Sequence, residues 1–138
     1  MTLALSIRQP WASLILLAGK DIENRTWEAR VRGPILIHAA KGMTKREYRE
    51  AMDFARAINP WGINNLLDER IINFDSLHPD NLPRGGIIGS VNLVDCVQRS
   101  DSPWFQGPYG FALRDPRRLP FVPLRGRLGF FDVPGVQP

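Results

Sequence analysis

Residues 8–27 contain side chains that can bind phosphate, stack on a nucleobase and transfer a proton. The chain reads Leu5-Ser6-Ile7-Arg8-Gln9-Pro10-Trp11-Ala12 and continues as Gly19-Lys20-Asp21-Ile22-Glu23-Asn24-Arg25-Thr26-Trp27. Arginine and lysine bind anions, and tryptophan offers a flat surface on which a base can stack. The same residue types are also ordinary surface and core residues, so both interpretations stand at this point.

The segment after Gly19 places charged side chains on one face if it is extended. Side chains alternate along a strand, so Glu23, Arg25 and Trp27 share a face that fits the wall of a solvated cleft. Lys20 can pair with Glu23, and a lysine removed from water can serve as a base while a carboxylate carries a proton. The alternative is a surface salt bridge, which stabilises a protein by at most about 1 kcal/mol.

Four further residues are candidates for ligand binding. Arg8 and Gln9 come just before a helix that should start at Pro10, and the N-terminus of a helix attracts anions. The alternative for Arg8 is hydrogen bonding to nearby carbonyls. Trp11 either stacks on a base or packs in the core. His38 ends an apolar strand, so it is either a core histidine or faces a cleft.

The sequence contains no pattern that is typical of metal or cofactor binding. The histidines His38 and His78 are far apart, and Cys96 has no neighbouring metal-binding residue. The glycine spacing around Gly85 fits neither a P-loop nor a dinucleotide-binding loop. We expect no metal and no cofactor.

Composition and charge point to a polyanionic partner. The chain has 138 residues and a net charge of +4, and residues 1–50 carry nine Lys or Arg against five Asp or Glu. A second group of arginines lies between residues 114 and 127. Such basic surface attracts nucleic acids. No apolar run is long enough for a membrane span, and no signal peptide follows Met1. The single cysteine, Cys96, suggests a cytoplasmic protein.

The hydrophobic patterns predict an α+β fold with a small twisted or barrel-like sheet. We expect a short helix over residues 11–18 that ends at Gly19, and a helix over residues 45–58 with a capping box formed by Thr44 and Glu47. Residues 60–84 are predicted to be an irregular insertion with one helical turn near Leu66. Trp27 and Trp104 are flanked by polar residues and are expected to be exposed. The strands are predicted over residues 3–7, 34–40, 87–97, 109–113 and 128–133.

Four segments resemble the ASCH family, a branch of the PUA-like superfamily. The resemblance covers about residues 3–133, as a single domain within residues 1–138. Its Gln-Pro-Trp form is similar to the branch that includes a transcription coactivator. The matching segments are residues 5–12, the pattern Gly19-Lys20-x-x-Glu23-x-Arg25-x-Trp27, residues 32–39 and residues 89–96.

The resemblance implies a PUA-like β-barrel with flanking helices and a cleft between them. It also implies RNA or DNA binding, whereas some bacterial members hydrolyse N4-acetylcytidine with a lysine, a threonine and a glutamate, and others act on single-stranded RNA. Lys20 matches that lysine, but Glu23 stands where the threonine is expected. Asp95 is the candidate for the third catalytic group.

Three functions therefore remain open from the sequence, one of which is a protein-interaction domain without a nucleic-acid role that uses residues 60–84 as its contact surface. The other two involve nucleic acid or its components. The first is a module that binds nucleic acid or a modified nucleobase through a basic cleft formed by Arg8, Gln9, Trp11, Lys20, Glu23, Arg25, Trp27 and His38. The second is a hydrolase acting on an acylated cytidine or on single-stranded RNA, with Lys20 and Glu23 as its catalytic residues. The sequence does not choose between RNA and DNA, and it gives no oligomeric state.

Overall fold

The structure of the protein, a computed structural model, is built on a six-stranded, curled sheet. The model describes residues 2–59 and 77–138, together with the backbone of residues 63–65 and 70–72. The sheet strands are β1 (Leu3–Ile7), β2 (Ile22–Arg25), β3 (Gly33–Ala39), β6 (Gly86–Val97), β7 (Tyr109–Pro123) and β8 (Phe130–Asp132). The strand β4 (Ile63–Asn65) pairs with β5 (Arg70–Ile72) in a separate two-stranded sheet.

The order of the strands across the main sheet is β2-β7-β6-β3-β1-β8. Only β1 and β3 run parallel to each other among these pairs, and every other neighbouring pair is antiparallel. The register between β6 and β7 shifts at three points, and such bulges bend a sheet and increase its twist. The result is a half-barrel with two helices, which confirms the expected α+β, PUA-like fold.

The short helix α1 (Trp11–Leu17) fills the curved sheet with apolar side chains. Ile15 packs with Leu5, Ile37 and Phe111 in the main core, because positions along β1, β3 and β7 point inward in alternation. Pro10 precedes the helix as its N-cap residue rather than occupying the first helical position. The helix ends as expected, since Gly19 takes the left-handed conformation with φ of 71°.

The long helix α2 (Lys45–Ile58) begins and ends where the sequence predicts. Thr44 accepts a hydrogen bond from the Glu47 amide at 3.0 Å, and the Glu47 carboxylate accepts one from the Thr44 amide at 3.2 Å. This capping box satisfies two amides that the first turn leaves without partners. Met52 and Ala55 on its inner face pack against Leu14 and Trp104 in a second apolar cluster.

Trp104 is buried, whereas the sequence predicted that it is exposed. Its side chain is 5% exposed and packs under α2, because the loop after β6 folds back onto β2. Asn24 holds that loop by donating to the Trp104 carbonyl at 3.0 Å. The polar neighbours of Trp104 in the sequence are therefore the side chains that face solvent.

Within residues 60–84, the part that the structure describes contains β4, β5 and a 3₁₀ turn at Pro79–Asn81. The helical turn expected near Leu66 falls outside the described residues. No helix in the described part of the chain is long and apolar enough to cross a membrane.

Candidate functional site

Arg8 lies at the end of β1 and ties that strand to the start of α2. Its Nε and Nη2 atoms donate to the two carboxylate oxygens of Glu47 at 2.5 Å and 2.7 Å. The bonds from Arg8 are the largest cause that lowers the pKa of Glu47 from 4.5 to about 2. The Arg8 side chain is still half exposed, so it is held in place and remains within reach of a ligand.

The Arg8–Glu47 pair makes stability depend on pH in the acid range. Because the folded-state pKa of Glu47 is about 2 and its ordinary value is 4.5, its contribution is complete above pH 4.5 and is lost as the pH falls towards 2. We expect the free energy of unfolding to fall less steeply over this range in Glu47→Gln than in the wild type. Glutamine can keep the capping hydrogen bond. Parallel curves in urea titrations would contradict this role for the pair.

Gln9 is a buried structural residue. Its Oε1 accepts from the Ser13 amide at 3.0 Å, which caps α1. Its Nε2 donates to Ser13 Oγ and to the Pro83 carbonyl, each at 2.8 Å. The side-chain amide is therefore occupied inside the protein, and it does not line the basic cavity described below.

Lys20, Glu23 and Arg25 form a connected charge chain, as the sequence suggested, but most of it is buried. Lys20 Nζ lies 3.1 Å from one Glu23 oxygen, and Arg25 Nε lies 2.9 Å from the other. Lys20 also donates to the Ile22 carbonyl. Burial lowers the pKa of Lys20, and Glu23 offsets part of that effect. This is not a surface salt bridge, because Lys20 is 3% exposed.

Of these three residues, Arg25 is the one that reaches across to β1. Its Nη2 donates to the Ser6 carbonyl at 2.9 Å, which brings the guanidinium beside β1. Asn24, the neighbouring residue in β2, faces the opposite side and binds the loop at Trp104. The alternation expected for this segment is therefore present, because Glu23 and Arg25 share one face of β2.

The two tryptophans of the candidate set are half-buried packing residues. Trp27 contacts Phe111 and Phe130 edge to face at 5.2 Å and 5.6 Å between ring centroids. Trp11 contacts Phe54 in the same way at 5.9 Å, and the Lys20 ammonium lies 5.4 Å from its centroid. Neither ring lines the basic cavity.

His38 is buried at the end of β3, and hydrogen bonds fix both ring nitrogens. Its Nε2 lies 2.6 Å from the Leu124 carbonyl oxygen, and its Nδ1 lies 2.9 Å from Ser6 Oγ. A carbonyl oxygen only accepts, so Nε2 carries a hydrogen and donates it to Leu124, while Nδ1 shares a hydrogen bond with the Ser6 hydroxyl. Gly126 lies against this pair, since a Cβ atom there would be 2.8 Å from His38 Cε1.

A basic cavity of about 930 Å³ opens above the Ser6–His38 pair. It lies where β1 and β3 end and where residues 124–129 connect β7 to β8. No carboxylate lies among the described residues that line it. Five cationic side chains do: Arg8, Arg25, Lys41, Arg125 and Arg127.

The cavity unites three of the eight candidate ligand-binding residues, namely Arg8, Arg25 and His38. It also contains residues that the sequence analysis did not place in a site, above all Lys41, Arg125 and Arg127. Arg125 and Arg127 belong to the second arginine cluster that the sequence shows. Because this cluster is far along the chain from Arg8 and His38, the sequence did not indicate that these residues share a cavity. The segment is held beside β3 by contacts between distant residues, among them the hydrogen bond between the Leu124 carbonyl and His38, which are 86 residues apart in the chain.

The structure also bears on metal binding and on Asp95, the candidate for the third catalytic group. In the part of the chain that the structure describes, no three His, Cys, Asp or Glu side chains group as metal ligands. The Asp95 carboxylate is largely exposed and lies 3.8 Å from Arg32, on the long strand β6. It does not line the basic cavity.

Comparison with known proteins gives consistent matches. Residues 5–111 match the model of the ASCH domain. Human "Activating signal cointegrator 1" is 30% identical over 129 residues, covering 83% of this chain and 19% of the human protein. The mouse protein of the same name is 32% identical over 96 residues, covering 69% of this chain and 14% of that protein.

The chain thus spans about a fifth or less of the length of these relatives. The family model covers most of the chain, from β1 into β7, and includes Arg8, Lys20, Arg25 and His38. The half-barrel sheet with two helices agrees with that match. The chain is a member of the ASCH domain family.

Proposed function

We propose that this chain binds nucleic acid and holds the phosphates of a single strand in the basic cavity. The observation that carries the proposal is the convergence of five cationic side chains on one cavity with no carboxylate among the described lining residues. Phosphate contacts from lysine and arginine supply most of the sequence-independent affinity for nucleic acids. Membership of the ASCH family and similarity to a coactivator support an RNA-binding role.

The size of the cavity favours a single strand or a nucleoside over a duplex. A volume of about 930 Å³ lies within the range of sites that enclose one small molecule, roughly 300–1,000 Å³. A nucleotide or a short run of a flexible strand fits such a space, whereas a duplex presents its phosphates along a broad, stiff cylinder. The cavity does not distinguish RNA from DNA.

The cations divide into held and free groups. Arg8 is paired with Glu47, and Arg25 is paired with Glu23, so both guanidinium groups are held in place at the cavity wall. Lys41, Arg125 and Arg127 form no side-chain ion pair or hydrogen bond with the described part of the chain, and all three are exposed. These three supply the uncompensated positive charge that attracts a phosphate.

Hydrolysis of an acylated cytidine or of RNA has less support from the geometry. The Lys20 ammonium and both oxygens of Glu23 bind partners inside the protein, and neither residue lines the basic cavity. Burial lowers the pKa of Lys20, as a catalytic base requires, but among the described residues no hydroxyl group is hydrogen-bonded to its ammonium.

Salt dependence tests the binding proposal directly. Each phosphate contact with a single strand contributes about −0.7 to the slope of log affinity against log salt concentration. Three free cations and two held ones therefore predict that the basic cavity alone contributes between about −2 and −3.5 to the slope. Fluorescence anisotropy with a labelled twelve-nucleotide oligouridylate, and with its oligothymidylate counterpart, would measure the slope.

The matched control is a strand of the same length with an uncharged methylphosphonate backbone. It should not bind, because it releases no counterions and offers no anionic oxygen to the cavity. A slope near zero, or equal affinity for the uncharged strand, would overturn the proposal.

A further inference from the structure

A second basic concavity lies along α2, outside the cavity already described. It has a volume of about 380 Å³ and runs between the helix and residues 79–84. Asp80 is its one acidic residue among the described lining, and the Asp80 carboxylate projects into solvent beside His78. The cationic residues that line this α2 groove are Lys45, Arg49, Arg56 and Arg84.

The helix sorts its charges so that the groove side is positive. Lys45, Arg49 and Arg56 recur at spacings of four and seven residues, which places them along one face. Asp53 lies four residues after Arg49 and three before Arg56, so it borders this face, but neither its carboxylate nor that of Glu50 lines the groove. Glu50 is also engaged, since it accepts from Arg46 Nε at 2.8 Å. Among the described residues, the lining of the groove therefore includes no carboxylate from the helix.

Two groove cations on this face are available to a ligand. The side chains of Lys45 and Arg49 are exposed and form no ion pair or hydrogen bond within the described residues. Tyr48 lies between them in the sequence and also lines the groove, with its hydroxyl donating to the Leu77 carbonyl at 2.7 Å. That bond fixes one end of an aromatic ring on which a base can stack.

The α2 groove lies next to the basic cavity, because residues that line the two are bonded to each other or adjacent in the chain. Lys41 lines the basic cavity, and its carbonyl oxygen accepts from Arg84 Nη1 at 3.1 Å, while Arg84 lines the groove. Gly85, the next residue, lines the basic cavity. Arg8, which lines the basic cavity, neutralises Glu47, the acidic residue in the first turn of α2. A polyanion can therefore pass from one to the other without meeting an unpaired carboxylate of that helical turn.

We propose that the α2 groove is a second phosphate-binding site, occupied by the continuation of the same single strand that fills the basic cavity. The inference rests on the proposed function, because the first part of the strand occupies the basic cavity. It adds a separate statement about how many nucleotides the protein binds. A strand of three nucleotides needs only the basic cavity, whereas a strand of about twelve nucleotides engages both sites, within the range of roughly 4–16 nucleotides found for small single-strand-binding domains.

The test is Lys45→Gln combined with Arg49→Gln, measured with labelled oligouridylates of three and twelve nucleotides. With the twelve-nucleotide strand, loss of two phosphate contacts should make the salt slope about 1.4 less steep and weaken binding about 25-fold near 0.1 M salt. With the three-nucleotide strand, affinity should stay within about twofold. Circular dichroism and thermal unfolding establish that the exposed substitutions leave the fold intact.

The matched control is Arg30→Gln combined with Arg99→Gln, which removes two positive charges from exposed positions that line neither concavity. It should change binding of both strands by less than about threefold. An equal loss in this control, or an unchanged slope in the groove variant, would overturn the second site. If the groove variant loses binding while variants of the basic cavity do not, the proposed function fails and the groove stands as the binding site.

Discussion

Replacing Arg125 and Arg127 together by glutamine should weaken binding of a twelve-nucleotide single strand about 25-fold near 0.1 M salt. Both arginines are exposed, line the basic cavity and have no side-chain partner in the described part of the chain. Each lost phosphate contact removes about 0.7 from the salt slope, so the slope should become about 1.4 less steep. Anisotropy titrations across a range of salt concentrations would measure both quantities.

This variant should lose affinity without losing its fold. The segment is anchored by other contacts, since the Leu124 amide donates to the Gly85 carbonyl at 3.1 Å and the Leu124 carbonyl accepts from His38. Leu128→Gln is a matched uncharged control, because Leu128 lines the same cavity and is fully exposed. That control should bind as the wild type does. Equal binding by the double arginine variant would remove residues 124–129 from the interface.

Replacing Lys20 by methionine should destabilise the protein by about 3 kcal/mol, near the lower end of what breaking a buried ion pair costs. Methionine keeps most of the packed volume but leaves one Glu23 oxygen without its cation. The loss is held near that lower end because Arg25 still binds the other oxygen at 2.9 Å. Urea unfolding monitored by tryptophan fluorescence would measure the change in the free energy of unfolding.

A double variant, Lys20→Met with Glu23→Leu, separates the ion pair from simple packing. It should be more stable than the sum of its two single variants by about 1–3 kcal/mol, because removing both partners leaves no uncompensated buried carboxylate. Arg25 keeps its bond to the Ser6 carbonyl in that variant. Additive effects would show that Lys20 and Glu23 do not stabilise each other.

Lys20→Met also distinguishes the buried charge chain from a phosphate contact. The affinity for a single strand should stay within about twofold of the wild type, since the Lys20 side chain is enclosed and does not line the basic cavity. A tenfold loss would return Lys20 to the binding surface on which the sequence alone had placed it.

Local patterns in the sequence were enough for the ends of the two helices. The strand predicted over residues 109–113 instead runs on to Pro123, because it pairs along β6, and the strand predicted over residues 128–133 is limited to Phe130–Asp132. The capping box at Thr44 and Glu47 and the stop at Gly19 were both predicted, because capping depends on residues only a few positions apart. The shared face of Glu23 and Arg25 followed from strand alternation. The prediction that Trp104 is exposed was wrong, because its burial depends on a loop that folds onto distant elements.

Residue types in the sequence determined which chemistry is available to this protein: a surplus of cations, an arginine at the end of β1 and a histidine at the end of β3. The tertiary structure alone decided which of them meet. It enclosed Lys20 and Glu23, turned Gln9 into a cap for α1, and brought Arg125 and Arg127 over His38. The reason is physical: strand pairing and loop return join residues far apart in the chain, and no local pattern encodes which distant backbone carbonyl a buried ring nitrogen will bind.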